Sequence, residues 1–486
     1  MTTSTITERY EVARRTLADV NQVHVLHFYD RLDESQRERL LEQVAEVDWP
    51  EVARLVESHV RRKPEFKLPE NLEPAPWYPY DPPRGQKDKY KKARKHGEKL
   101  VRDGRVAAFT VAGGQGTRLG WDGPKGTFPA TAIRKASLFQ CMAEYIRKTQ
   151  KKYKAVVPWY IMTSPINDGP TRAFFDEHGY FGLDPANVKM FPQGMMPAID
   201  ADTGKVLLES PDTIAMSPNG HGGSLKALYT SGAIEDMKDR GIEQISYTQV
   251  DNPIVRIIDP QFLGLHALDQ CQMSSKMLPK AYPKEKLGNF CLVDGKMTVI
   301  EYSDLPDEYA EQRTDDGELR FKAGSIAIHA IRVDFVESLN TSADGFGLPY
   351  HRADKKVEHI DIETEKLVKP EANNAVKLET FVFDALPLTN RSIIYETDRT
   401  DEFAPIKNAD AKPGEPPAVD CPATSRRIQT ERAARWLEGF GVTVPRDDDG
   451  AAQAVIEITH LTAIEPTDLK TIDLPDTIVA GTEVLL

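Results

Sequence analysis

An apolar run, Val106 to Val111 (VAAFTV), leads directly into a glycine-rich turn, Gly113 to Gly120 (GGQGTRLG), and then into Pro124, Lys125 and Gly126. No other feature constrains the chain as much: a buried strand, a loop almost without side chains, then an arginine and a lysine. Glycine has no Cβ, so the backbone can turn sharply and press its N–H groups against a ligand. Successive N–H groups in such a turn form a concavity that binds anions. Arg118 and Lys125 add fixed positive charge suited to phosphate oxygens. The stretch reads as a site for a nucleoside triphosphate held by its phosphates. It is not the Walker pattern, because Lys125 precedes a glycine instead of following one. It is not the dinucleotide pattern G-x-G-x-x-G either, because the glycine after Gly116 arrives one residue late.

The rest of the chain sets outer bounds. Its 486 residues suggest roughly two to four domains. Hydrophobic content of 40% and charged content of 28% are those of a soluble globular protein. No apolar stretch is long enough to span a membrane. The first residues, MTTSTITERYEVARR, lack the apolar core of a secretory signal, so a cytoplasmic protein is expected. Cys141, Cys271, Cys291 and Cys421 are scattered without CxxC spacing, which argues against a disulfide framework or a structural zinc site. A net charge of −13 argues against general nucleic-acid binding.

Three segments are expected. Residues 1–100 read as helical and polar. Asp33 to Glu46 carries Leu40, Leu41 and Val44 at helical spacing. A Pro-rich stretch, Pro64 to Pro83, with Trp77, Tyr78 and Tyr80, reads as an ordered connector wrapped on the core. The lysine-rich run Lys87 to Lys99 reads as a solvated helix face. Residues 101–410 alternate strands and helices: Val106 to Val111, the amphipathic helix Leu138 to Gln150, Val156 to Thr163, the helix Leu225 to Lys238, and Gln244 to Val250. Such alternation predicts a mostly parallel sheet covered by helices, with ligands outside the carboxyl ends of its strands. Residues 411–486 open on a Pro-rich break and read as a small β-containing appendage with a short helix.

Other residues can be read with the glycine loop. Asp251 follows a buried strand, where a carboxylate suits Mg²⁺, an ion that shares oxygen ligands with substrate phosphates. A cap or Asx turn before Pro253 is the alternative. Gly220, His221, Gly222 and Gly223 form a second glycine loop before the helix at Leu225, and a helix start favours anionic groups. Gln193 lies in a turn after Val188 to Phe191, and an amide there could pair with the edge of a nucleobase. Glu301 and Tyr302 close a short strand, where a carboxylate could accept from sugar hydroxyls. Lys377 and Lys407 sit among apolar residues. Lysines there are usually surface residues with buried stems, or else point charges on transferring groups. No nucleophile–base pair is legible.

With GGQGTRLG and PKG at this spacing, the chain resembles the eukaryotic-type UTP-dependent sugar-1-phosphate uridylyltransferases, and within them the UDP-N-acetylhexosamine pyrophosphorylases. The resemblance runs from about residue 97 to about residue 410. It includes PWYIMTS at 158–164, YFGL at 180–183, QGMMPA at 193–198, VDNPIV at 250–255, EYSDL at 301–305, FVFD at 381–384 and EFAPIKNAD at 402–410. It implies an α/β fold: a Rossmann-like, glycosyltransferase-A-like mixed sheet flanked by helices, with a helical N-terminal segment and a small β-containing C-terminal appendage. It implies that UTP and a sugar 1-phosphate give UDP-sugar and pyrophosphate, with Mg²⁺. By the same resemblance Val111, Ala112, Gly113 and Gly114 would hold the nucleotide, and Gln193 and Gly220 would contact the uridine portion. Arg118 and Lys125 would neutralise the triphosphate. Asp251 would serve metal and nucleotide. Gly288, Glu301 and Tyr302 would face the sugar, and Lys377 and Lys407 would hold the phosphates of nucleotide and sugar phosphate.

Two departures concern the sugar. The acetylhexosamine enzymes usually read G-N-G-G at the second loop, where this chain has His221, as the glucose and broad-specificity members do. They usually carry Asn where this chain has Ser325. Both positions are associated with the sugar pocket, and an imidazole and an amide present different donors and acceptors. N-acetylglucosamine 1-phosphate is the leading acceptor; its galactosamine epimer, glucose 1-phosphate or a broad mixture are the alternatives. A non-catalytic UDP-sugar-binding protein is the competing class, disfavoured because Arg118, Lys125, Asp251, Lys377 and Lys407 are all present.

Overall fold

The computed structural model describes residues 5–64, 67–342 and 346–486. Packing divides the chain into two units that interleave along the sequence. The larger comprises Leu68–Gln193, Leu225–Gly347 and Phe383–Leu486; the smaller comprises Met1–Lys67, Gly194–Ser224 and Leu348–Val382.

The larger unit is built on a ten-stranded sheet. Its strands are β1 (Leu72–Pro74), β2 (Val106–Val111), β3 (Trp159–Thr163), β4 (Val188–Pro192), β5 (Gln244–Gln249), β6 (Met273–Pro279), β7 (Asn289–Val293), β8 (Lys296–Ile300), β9 (Ala323–Arg332) and β10 (Ile394–Glu396). The main path runs β1-β7-β9-β5-β2-β3-β4; β6 pairs with β9 and β10, and β8 pairs with β7. Strands β5, β2, β3 and β4 are parallel. The alternation predicted a mostly parallel sheet, but the other half is largely antiparallel, so the sheet is mixed. One cause is local. β7 and β8 are joined by Asp294 and Gly295, both at positive φ (50° and 76°), and an Asp-Gly pair of this kind closes a tight hairpin.

β2 is buried except at its last residue, which explains its unbroken apolar run: a central parallel strand is covered on both faces. The helix Leu138–Tyr153 lies on this sheet with Leu138, Met142, Tyr145 and Ile146 buried. It begins where the Ser137 hydroxyl accepts from the Gln140 N–H at 3.0 Å, a standard cap for the unpaired donors of a first turn. The lysine-rich segment forms the helix Lys87–Arg102, which crosses the helix Pro260–Leu268 very closely. A Cβ at Gly97 would fall 1.8 Å from the Pro260 carbonyl oxygen, and one at Gly264 1.8 Å from that of Ala93. The Pro-rich connector supplies β1, and the N–H of Tyr78 donates to the Ile394 carbonyl at 2.8 Å.

The C-terminal part of this unit has its own core of Ala434, Leu437, Val442, Ile456, Leu469 and Ile478. It contains the helix Pro422–Glu438 and a parallel pair, Val455–Glu457 with Glu483–Leu485. Glu457 fastens it to the sheet layer by accepting from the Ile133 and Arg134 N–H groups at 2.8 and 3.1 Å and from Arg134 Nε at 2.9 Å.

In the smaller unit the helices Ile6–Asp19, Glu34–Glu46 and Trp49–Leu55 bury Leu17, Leu40, Leu41, Trp49 and Leu55 against Ile199, Val376 and Leu378. Asp33 caps the second helix with a capping box. Strands Tyr350–Lys355, Ala375–Thr380 and Ile199–Asp200 form a small antiparallel sheet. Among the described residues no helix is long and apolar enough to cross a membrane.

Candidate active site

The parallel strands β5, β2 and β3 end side by side, and three loops leave their carboxyl ends together. The Ala112 N–H donates to the Met162 carbonyl at 2.8 Å, and the Val250 N–H to the Val111 carbonyl at 3.1 Å. The glycine loop, the turn after β3 and Asp251 are thus neighbours because their strands are in register. Within the glycine loop the N–H groups of Gly116 and Lys125 are used, donating to Gly123 and Gly114 at 2.9 and 3.1 Å. Those of Gly113, Gly114 and Gln115 have no protein acceptor among the described residues.

Asn167 straps this loop in place. Its Nδ2 donates to the carbonyls of Ala112 and Gly114 at 3.0 and 3.3 Å, and its Oδ1 accepts from the Ser164 N–H at 2.7 Å. Sequence reading passed over Asn167. Its only signal was a polar residue in the turn after a strand, which is a generic feature. Gln193 comes next, its N–H donating to the Thr163 carbonyl at 2.9 Å. A Cβ at Gly113 would sit 3.0 Å from Gln193 Oε1, so this amide borders the glycine loop.

Lys125 Nζ lies 3.7 Å from Asp251 Oδ2. The Asp251 carboxylate accepts no hydrogen bond among the described residues. The Asx turn considered at this position belongs instead to Asn252, whose Oδ1 accepts from the N–H groups of Ile254 and Ala404 at 3.3 and 3.2 Å. Asn252 Nδ2 also donates to the Glu402 carbonyl at 2.6 Å. The Ile406 N–H donates to the Asp251 carbonyl at 2.8 Å. These bonds carry the segment before Lys407 to Asp251. Lys407 is held by its N–H to the Asp420 carbonyl at 2.6 Å, with its Nζ 3.9 Å from Asp420 Oδ2 and 5.5 Å from the Phe403 ring centre. Asp420 adopts a left-handed φ of 52°, a strained conformation for a residue other than glycine. Burial pushes its carboxyl group up, Lys407 partly offsets this, and Asp251 adds to it. Arg118, in the short turn Thr117–Leu119, is exposed and has no hydrogen bond or ion pair among the described residues.

Elsewhere in the same unit Gly288, Glu301 and Ser325 come together. The Ser325 N–H donates to the Gly288 carbonyl at 2.8 Å. A Cβ at Gly288 would lie 3.6 Å from Glu301 Oε1 and 3.7 Å from Ser325 Cβ. Tyr302 follows Glu301 and is 47% exposed.

Gly220, His221 and Lys377 belong to the smaller unit. Gly220 has φ +82°, and a Cβ there would meet the Thr380 carbonyl oxygen at 2.4 Å. The Gly222 N–H donates to that carbonyl at 2.8 Å. Glycine is required here by contact with the strand Ala375–Thr380, which also carries Lys377, half-buried and opposite Ala353. His221 stacks on Phe381 at 5.2 Å, and Phe381 stacks on His351 at 4.4 Å. The Val382 N–H donates to His221 Nδ1 at 3.1 Å, so the neutral ring carries its proton on Nε2. Desolvation, with His351 beside it, pushes His221 down to about 4.

Among the described residues no three His, Cys, Asp or Glu side chains gather into a metal cage. A hard divalent ion at Asp251 would therefore complete its shell with phosphate oxygens and water, as Mg²⁺ commonly does. A carboxylate at the strand ends that is committed to no hydrogen bond among the described residues fits that requirement.

Comparison with known proteins supplies an independent line. A family model described as UTP--glucose-1-phosphate uridylyltransferase matches residues 71–411. A human protein named UDP-N-acetylhexosamine pyrophosphorylase-like protein 1 is 36% identical over 487 residues, covering 94% of this chain and 93% of its own length. The UDP-N-acetylglucosamine pyrophosphorylase of Saccharomyces cerevisiae is 34% identical over 448 residues, covering 89% of this chain and 92% of its own. The crystal structure of the uridine diphosphate N-acetylglucosamine pyrophosphorylase of Trypanosoma brucei superposes with a TM-score of 0.83 at 26% identity, covering 100% of this chain and 99% of that one.

Proposed function

We infer the substrate from one premise: the chain belongs to the UTP–glucose-1-phosphate uridylyltransferase family. It is a nucleotidyltransferase that makes UDP-sugar and pyrophosphate from UTP and a sugar 1-phosphate. The sugar we propose is N-acetylglucosamine 1-phosphate. The observation that carries this choice is the 34% identity, over 89% of the chain, to a yeast protein named for that product. The compact group of Gly288, Glu301 and Ser325, in the same unit as the glycine loop, supports a sugar-facing role for these residues.

In this reading a phosphate oxygen of the sugar phosphate attacks the α-phosphorus of UTP. A new P–O bond forms, the bond to the β-phosphate breaks, and pyrophosphate leaves with the electron pair. The attacking oxygen is already anionic at neutral pH, so no general base is needed, and catalysis reduces to positioning and charge stabilisation. The unpaired N–H groups of Gly113 to Gln115, with Arg118 and Lys125, would cradle the leaving phosphates. Gln193 would read the uridine, and Lys407 would neutralise the phosphates that exchange partners. Asp251 would hold Mg²⁺, which supplies charge to the triphosphate when bound.

His221 and Ser325 favour a second reading, a glucose 1-phosphate or broad-specificity enzyme, because both differ from the usual acetylhexosamine pattern. Pyrophosphate release from UTP and Mg²⁺ with the 1-phosphates of N-acetylglucosamine, N-acetylgalactosamine, glucose and galactose separates the two. The expected result is a kcat/KM highest for N-acetylglucosamine 1-phosphate. Preference for glucose, or none at all, selects the second reading.

A further inference from the structure

The C-terminal helix Pro422–Glu438 stands outside the strands that carry the site, yet its first half touches the segments behind both Lys125 and Lys407. Gln429 Nε2 donates to the Ala130 carbonyl at 3.2 Å and to Ser425 Oγ at 3.2 Å. Ser425 Oγ donates in turn to the Ala404 carbonyl at 2.6 Å. Ser425 is fully buried. These bonds form one continuous chain, from the Ala130 carbonyl through Gln429 and Ser425 to the Ala404 carbonyl. Ala130 lies five residues after Lys125, and that stretch is folded back by the Phe128 N–H to the Lys125 carbonyl at 3.0 Å. Ala404 lies three residues before Lys407. The neighbouring Arg426 adds a bond to the Pro129 carbonyl at 3.0 Å. Just before the helix, Asp420 accepts the N–H groups of Lys407 and Asn408 at 2.6 and 3.0 Å.

We propose that this helix is a strut that fixes the spacing between Lys125 and Lys407, with Gln429 and Ser425 as its positioning residues. The proposal rests on the phosphate roles given above to the two lysines. Neither residue touches the reacting atoms. Each is linked to a backbone carbonyl of a segment that carries a cation, and the chain between them is short, buried at Ser425 and half-buried at Gln429. In phosphoryl-group transfer without a general base, the placing of positive charge is most of the catalysis, and a displacement near 1 Å can cost ~10²-fold in rate. The strut also gives the C-terminal appendage a task within the reaction.

The test uses the full-length protein with UTP, Mg²⁺ and its best sugar 1-phosphate. Gln429→Met keeps the length of the side chain and removes the donor. Ser425→Ala removes only a hydroxyl and guards against a Gln429 variant that folds poorly. Both are expected to lower kcat by about 10-fold, with KM for UTP and the melting temperature close to wild type. In a Lys407→Ala background Ser425→Ala should lower kcat no further, because the Ala404 carbonyl it holds leads to the lysine that is gone. Unchanged kcat in both single variants would overturn the strut, and so would a full multiplicative loss in the Lys407→Ala background. The phosphate reading fails separately, if Lys407→Ala alone leaves kcat intact.

Discussion

Two lysine clusters meet on one short stretch of chain and use their charge in opposite ways. Lys276 is 0% exposed and lies 2.7 Å from Asp259 Oδ2 and 2.7 Å from both oxygens of Glu402. Glu402 also accepts from the Thr397 hydroxyl at 2.6 Å. Five residues on, Lys407 is 39% exposed and no closer than 3.9 Å to its carboxylate. Lys125 is likewise loosely paired at 3.7 Å, and Arg118 has no partner among the described residues. A charge taken fully out of water must be neutralised at contact distance or the fold loses several kcal/mol. A charge meant for a ligand must stay uncommitted. The closed cluster anchors the stretch Thr397 to Glu402, and Lys407 follows that stretch five residues later.

The closed cluster should break hardest. Lys276→Met removes the ammonium that bonds both Asp259 and Glu402 and leaves the two carboxylates with Arg256 as their neighbouring cation. The expected loss is about 3–5 kcal/mol of stability, read as a large fall in urea midpoint. A midpoint near wild type would mean that water reaches the cluster and that it is not closed. In this cluster burial works against the Asp259 carboxylate, but Lys276 and Arg256 overcome it and hold its pKa well below the usual carboxylate range. Its stabilising contribution is therefore present above the ordinary Asp pKa and is lost only in stronger acid.

Mild acid should act elsewhere. Burial pushes His266 and His460 from 6.5 down to about 3. Between those values the unfolded chain takes up protons that the folded chain refuses, so stability is full above about pH 6.5 and falls as pH drops toward 3. At pH 5 each histidine should cost about 2 kcal/mol relative to neutral pH. The slope of unfolding free energy between pH 7 and 5 measures this, and His460→Asn should flatten it by about 0.7 proton on average. An unchanged slope would show that His460 protonates freely in the fold.

What the sequence revealed follows the same division. The glycine loop and Asp251 were legible because a buried strand followed at once by glycines, or by a carboxylate, is a local pattern. The parallel strands then bring those loops together. The antiparallel half of the sheet escaped the alternation rule, although Asp294-Gly295 was a readable hairpin signal. Lys407 had only a weak local signature, a lysine among apolar residues, and the resemblance to a family gave it a role. Asn167, Asn252, Asp420, Ser425 and Gln429 were passed over because they act on backbone carbonyls and N–H groups that lie far away in sequence, and side-chain type alone does not announce such bonds. The interleaving of the two units is invisible to composition for a similar reason: the first helices bury their apolar faces on strands from Gly194–Ser224 and Leu348–Val382.

The most direct measurement is the Lys407→Ala protein, followed by thermal melting, UTP binding and pyrophosphate release in one set of conditions. An uncommitted charge predicts a melting point shifted by no more than a surface substitution allows, about 0.5 kcal/mol. UTP affinity should stay close to wild type and turnover should fall ~10²–10³-fold. Wild-type turnover, or equal losses in UTP affinity and turnover, would contradict the assignment of Lys407 to the phosphates that exchange partners.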